Sequence, residues 1–255
     1  MHQQHPNRVA LVTGGNRGIG LQIVKELAGR GLTVVLGSRD LDQGREAAEP
    51  LEGDVRVVQL DVTDRASIDA AAESVRRDLG RLDILINNAA ISRAHARTGE
   101  STAEWAVRSK PSVVPLDDVR TIWETNVFGP LAVYQAMLPL LREAPHANVV
   151  NVSSGLGSLA WFANPEQPNR EMFVPGYSAS KTALNAMTLT MAIELEGTAI
   201  RVNAVTPGYT KTNLNNFEGT ETVEEGAAEA VRVALLGPDG PTGQFTHATL
   251  GEVPW

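Results

Sequence analysis

Tyr177 and Lys181 lie in the run Tyr177-Ser178-Ala179-Ser180-Lys181, a phenol and an ammonium four residues apart. On a helix this spacing puts both on one face, where the cation favours the phenolate and readies the hydroxyl for proton transfer near neutral pH. A second chemical feature lies upstream, the run Thr13-Gly14-Gly15-Asn16-Arg17-Gly18-Ile19-Gly20. Where a strand enters a helix, such a loop offers backbone amides and the positive helix end to a pyrophosphate. Alone, the Tyr-Lys pair decorates many helix surfaces and the glycines suit many turns, so each draws its weight from the other.

Both features need a frame of strands and helices. Short β-branched runs occur at Val9 to Val12, Thr33 to Leu36, Val55 to Leu60, Ile84 to Ile86, Val149 to Val152 and Ile200 to Val205, with Gly243 to Phe245 as a last short candidate. Helical patterns alternate with them, at Ile19 to Arg30, Ala66 to Leu79, Ala179 to Glu196 and Glu221 to Leu236. This alternation predicts an α/β fold: a single Rossmann-type, doubly wound parallel sheet with helices on both faces, over one domain of residues 1–255. The apolar strands agree, because parallel strands are covered on both sides. Two irregular stretches, about 91–116 and 155–175, exceed ordinary connections and read as insertions with structure of their own.

Composition narrows the chemistry. With no cysteine, thiolate metal sites and a cysteine nucleophile are excluded, and the five histidines show no metal-ligand spacing, so no metal is expected. A net charge of −8 without a basic stripe disfavours nucleic acid. There is no apolar run long enough to span a bilayer and no apolar targeting segment at Met1 to Arg8, so no membrane partner and a cytoplasmic location are expected.

The second strand decides which dinucleotide is held. An acid at its end would bind the ribose hydroxyls and select NAD, but here the strand runs into Gly37-Ser38-Arg39. Ser38, Arg39 and Arg17 suit an anionic 2′-phosphate, which guanidinium groups grip by charge-assisted bonds, so NADP(H) is expected. Asp40 argues the other way unless it lies past the strand, at the start of the next helix, where an acid suits the helix dipole.

With these pieces the chain resembles the short-chain dehydrogenase/reductase family from about Arg8 onward. The resemblance rests on the glycine loop, Asp61-Val62, Asn87-Asn88-Ala89-Ala90, Asn126, Ser153-Ser154, Tyr177 with Lys181, and Pro207-Gly208, in the family's order. It implies that Tyr177 exchanges a proton with the substrate oxygen and that Lys181 holds the nicotinamide ribose and lowers the phenol pKa. By the same resemblance Ser154 bonds the substrate oxygen and Asn126 supports a proton relay through water. Ser153 and Ser154 point to opposite sides if the strand continues through both, and Thr125-Asn126 ahead of Gly129-Pro130 also suits a helix irregularity.

For the cofactor, the resemblance implies contacts from Gly14, Asn16, Arg17, Gly18, Ile19 and Gly20. It adds Asp61 and Val62 at the adenine, Asn88, Ala89 and Ala90 beyond the fourth strand, and Pro207, Gly208, Thr210 and Thr212 near the nicotinamide, with Asn87 steadying the central strands. The long stretches before Asn126 and before Tyr177 look like the carbonyl-reductase branch, in which the second insertion covers a subunit-pairing surface. A monomer is thus compatible with the sequence, and so is a homo-oligomer.

The second insertion holds Trp161, Phe162, Met172 and Phe173, which either line an apolar substrate pocket or anchor the insertion to the core. The expected activity is NADPH-dependent reduction of a ketone or aldehyde with an apolar body. The alternatives are an alcohol dehydrogenase run toward oxidation and a non-catalytic NADP(H)-binding sensor.

Overall fold

The computed structural model describes residues 8–95 and 99–255; the polar start of the chain and the middle of the first insertion lie outside them. Strands β1 (Val9–Thr13), β2 (Thr33–Ser38), β3 (Asp54–Gln59), β4 (Ile84–Asn87), β5 (Ala147–Val152), β6 (Ile200–Val205), β7 (Phe245–His247) and β8 (Gly251–Glu252) form one sheet in the order β3-β2-β1-β4-β5-β6-β7-β8. Strands β1 to β7 pair in parallel, and β8 turns back antiparallel on β7. The expected last strand begins two residues later than read, and β8 was not foreseen. The strand order reverses between β1 and β4, which opens a crevice at their carboxyl ends, where ligands bind in open α/β sheets.

Helices cover both faces. Val9 and Leu11 of β1 pack with α3 (Arg65–Leu79), α6 (Gly129–Leu141) and α8 (Tyr177–Glu194). Ala10 and Val12 face the other side, against α1 (Gly18–Ala28) and α9 (Val223–Ala234). Every residue of β1, β4 and β5 is buried, as expected for strands covered twice. Two amide bonds brace the centre: Asn87 Nδ2 donates to Asn151 Oδ1 at 2.9 Å, and Asn151 Nδ2 donates to Thr188 Oγ1 at 2.9 Å. They tie β4 to β5 and β5 to α8, which fixes the helix that carries Tyr177.

Both insertions do carry structure of their own. The first holds α4 (Thr102–Arg108) and leads into α5 (Leu116–Trp123); the second holds α7 (Leu159–Ala163) between two single 3-10 turns. Between α5 and α6 the helix widens to a π turn over Glu124–Phe128, where the Gly129 N–H bonds back to the Glu124 carbonyl. Pro130 follows at once and has no N–H to give the Asn126 carbonyl four residues earlier, so the ordinary helical ladder fails there. The irregularity expected near Gly129-Pro130 is therefore real, and Asn126 sits within it.

Candidate active site

A cavity of about 790 Å³ occupies the crevice. Its floor is the glycine loop, clamped to the end of β4: Asn88 Nδ2 donates to the carbonyls of Thr13 (3.0 Å) and Gly14 (3.1 Å), while Thr13 Oγ1 accepts from the amides of Asn88 and Ala89 at 3.0 Å. Gly14 has φ +63°, and a Cβ on Gly20 would stand 2.4 Å from the Gly14 carbonyl oxygen, so neither position takes a side chain without moving the loop. The first turn of α1 has no acid, and Arg17 at its N-cap makes no side-chain bond to it. The orphan amides of that turn are thus left for an anion from outside the chain. Gly14, Asn16, Arg17, Gly18, Ile19 and Gly20 all border the cavity.

At the far end, Arg39 lines the cavity beside Asp61 and Val62, and both Arg17 and Arg39 are exposed. Asp40 lies beyond β2 and caps α2 (Leu41–Ala48), its Oδ1 accepting from the amides of Asp42 (3.0 Å) and Gln43 (3.1 Å). The acid is therefore committed to a helix end, as its alternative placement supposed. Ser38 needs correcting: it is buried, does not border the cavity, and its hydroxyl donates to the Asp40 carbonyl at 2.6 Å. It shapes the turn that presents Arg39.

Tyr177 is the first residue of α8, two residues ahead of the expected helix start, and its ring borders the cavity with Lys181 one turn further on. Asn88, Ala89, Ala90, Pro207 and Thr212 complete the nearby wall. Ser154 acts on the Tyr177 phenol, holding it below where burial alone would put it, while its own hydroxyl accepts from the Leu156 amide at 3.2 Å. Ser153 also touches the cavity, but its hydroxyl turns away and donates to Asn185 Oδ1 at 2.5 Å. Ser154 does not border the cavity, but of the two serines it is the one whose hydroxyl acts on the phenol.

The electrostatics differ from the sequence expectation. Burial pushes the Tyr177 phenol up to about 12, only partly offset by the Ser154 hydrogen bond. Lys181 is pulled down to about 7 by burial, and its Nζ donates to the Val152 carbonyl at 2.8 Å, 5.8 Å from the centre of the Tyr177 ring. The helix spacing does bring the pair together, but desolvation dominates and the phenol is raised where lowering was expected.

Burial of Lys181 has a measurable consequence. Between its folded value near 7 and the ordinary 10.5, the unfolded chain holds a proton that the folded chain does not, so this group makes stability rise with pH across that window. Melting curves from about pH 6.5 to about pH 9, without added nucleotide, should show wild type gaining on Lys181→Met as pH rises. A gap between the two proteins that does not move with pH would contradict this.

Asn126 is fully buried and does not border the cavity. Its Oδ1 accepts from the Ile91 amide at 2.9 Å, and its Nδ2 donates to the Ile91 carbonyl at 2.9 Å and to Ser180 Oγ at 3.0 Å. Its visible work is to pin the loop after β4 to α8, since both Nδ2 hydrogens are spent inside the chain. Gly208 and Thr210 also stand away from the cavity. Gly208 has φ +78° and packs on Glu221, while Thr210 is buried against Gly226 of α9 and donates to the Pro207 carbonyl at 3.0 Å. The pair forms the turn that aims Thr212 inward.

Other wall residues carried no signal in the sequence. Ile91 to Ala94, Asn213, Leu214 and Asn216 sit in irregular segments, where no period marks the inward side. The aromatics of the second insertion prove to be anchors: Phe162 and Phe173 stack with centroids 5.1 Å apart, and Trp161 packs on the cluster of Ala204, Phe245 and Val253. Of the four, Met172 alone joins Tyr177, in an apolar cluster with Trp105 and Val174.

Among the described residues, no group of three or more His, Cys, Asp or Glu is placed to hold a metal, and no helix is long and apolar enough to cross a membrane. The sequence pattern of the short chain dehydrogenase family matches residues 8–223. The chain is 34% identical to (+)-neomenthol dehydrogenase of Arabidopsis thaliana, over 93% of this chain and 95% of that protein. It is 33% identical to salutaridine reductase of Papaver somniferum, over 93% of each. The solved structure of salutaridine reductase from Papaver somniferum superimposes with a TM-score of 0.77 at 32% identity, covering 93% of this chain and 99% of that one. A glycine loop built for a nicotinamide dinucleotide, a buried tyrosine-lysine pair beside it and these full-length likenesses agree: the chain belongs to the short-chain dehydrogenase/reductase family and is an oxidoreductase of CH–OH and C=O groups.

Proposed function

We propose that the protein reduces ketones or aldehydes with NADPH, using Tyr177 as the proton donor. The observation that carries this reading is the buried Tyr177 on the wall of a cavity that Arg17 and Arg39 also border. The glycine loop and the open amides of α1 would hold the pyrophosphate, and the two arginines the 2′-phosphate. Asp61 and Val62 would meet the adenine, Asn88 to Ala90 and Lys181 the nicotinamide ribose, and Pro207 with Thr212 the carboxamide. When bound, the cofactor supplies a hydride to the carbonyl carbon.

The chain's own residues manage the charge that develops on the substrate oxygen. Ser154 and Tyr177 hydrogen-bond that oxygen, and the Tyr177 hydroxyl releases its proton to it as the C=O bond becomes C–OH. A phenol pushed up to about 12 stays loaded with its proton at neutral pH. An alkoxide is a far stronger base than a phenolate and takes that proton even so. The cluster of Trp105, Met172 and Val174 around Tyr177 suits a substrate with an apolar body.

The test is consumption of NADPH against a panel of ketones, aldehydes and quinones, with secondary alcohols and NADP⁺ as the reverse arm. Reduction of carbonyls supports the proposal. NADPH that binds without any carbonyl being reduced would sink it in favour of a nucleotide sensor.

A further inference from the structure

Arg93 is a cation that the reaction above does not use. Its side chain is only 6% exposed, yet it forms part of the cavity wall just past β4. The guanidinium lies over the Trp105 ring at 5.7 Å. Among the described residues its acceptors are poor: Nη1 reaches the carbonyl and a carboxylate oxygen of Glu100, each at 3.5 Å, and Nε has no partner. Glu100 is gripped more tightly by Arg108, whose Nε and Nη2 both donate to it, the latter at 2.9 Å. Nη2 of Arg93 carries no hydrogen bond to a described residue. A buried guanidinium with donors left over is costly, because donors taken from water need acceptors.

A ligand site follows from where those donors lie. Beside the main cavity is a cleft of about 10 Å³, walled in part by Ser92, Arg93, Trp105, Val174 and Tyr177. Such a volume takes one water-sized group, and Arg93 and Tyr177 border both spaces. A carbonyl held at Tyr177 therefore has, at its back, room for one further oxygen next to an underbonded cation. Among the described Arg, Lys, Asp and Glu side chains the charges around that cation balance, Arg93 and Arg108 against Glu100 and Asp118, the latter 3.9 Å from Arg108 and 3.8 Å from the His95 ring. The balance suits a neutral acceptor better than a carboxylate.

We propose that Arg93 is a specificity-determining residue that hydrogen-bonds a second, neutral carbonyl oxygen on the substrate, making dicarbonyl compounds the preferred class. The inference rests on the carbonyl-reductase reading of the same site, so its test measures binding without turnover. The full chain is saturated with NADP⁺, which cannot reduce a ketone, and titrated calorimetrically with 1-phenyl-1,2-propanedione and with propiophenone, which lacks the second carbonyl. A hydrogen bond to a charged donor predicts that wild type binds the dione about tenfold or more tightly.

In Arg93→Met, which keeps much of the apolar stem, the preference should fall to near unity, and in Arg93→Lys, which keeps a charged donor, most of it should return. Equal affinity of wild type for the two compounds overturns the inference and needs no variant to fold. A dione preference that survives in Arg93→Met with an unchanged circular dichroism spectrum overturns it as well. Failure of the reductase reading shows separately, as absent NADPH turnover with either compound.

Discussion

Tyr177→Phe should lower kcat/KM for carbonyl reduction by about 10²- to 10⁴-fold, the range that positioned proton transfer usually contributes. The change removes one oxygen and keeps the ring that packs with Trp105 and Val174. Loss of one hydroxyl should cost stability only about 1 kcal/mol, so the variant folds and binds nucleotide as before. Steady-state rates beside a nucleotide titration separate the two effects. Full turnover in the variant would remove Tyr177 from the chemistry.

The second large effect is expected at the two exposed arginines that border the cavity. Replacing Arg17 and Arg39 together by alanine should raise KM for NADPH by about 100-fold or more, since each bond to a charged group is worth about 1.5–3 kcal/mol. KM for NADH should change little, because NADH has no 2′-phosphate to lose. Neither arginine has an ion pair among those seen in the described residues, and both border the cavity, so their guanidinium groups are open to a ligand. A parallel loss for both cofactors would show that the arginines do not read the 2′-phosphate.

Much of this architecture was legible because physics leaves a local trace of it. Strands covered on both faces are largely apolar, so β1, β4 and β5 stood out from the sequence as short runs rich in Val, Ile and Leu, with the buried Asn87 and Asn151 bonded across them. The glycine loop was legible for a similar reason: Gly14 and Gly20 stand where a side chain has no room. The four-residue spacing rightly put Tyr177 and Lys181 on one helix.

What sequence could not carry were properties set by distant neighbours. The raised phenol comes from burial, to which Trp105 of the first insertion contributes, and no spacing rule reports it. Ser38 and Thr210 have the right residue types for phosphate or amide contacts, yet their hydroxyls are spent on the carbonyls of Asp40 and Pro207. For Trp161, Phe162 and Phe173 composition left pocket and anchor both open, because inward and outward sides of an irregular loop have no period, and the packing makes them anchors. Arg93 was missed for the same reason. Its burial depends on Trp105, which the sequence places in another part of the first insertion.

The central claim is that a hydride from NADPH and a proton from Tyr177 meet on one carbonyl in this cavity. The most direct test is a reaction with NADPH deuterated at the transferable position of the nicotinamide C4, using a ketone that the protein consumes, followed by mass spectrometry of the alcohol. The account predicts one deuterium on the carbinol carbon in wild type and almost no labelled alcohol from Tyr177→Phe over the same time. An unlabelled carbinol carbon, or equal labelling by the variant, would contradict it.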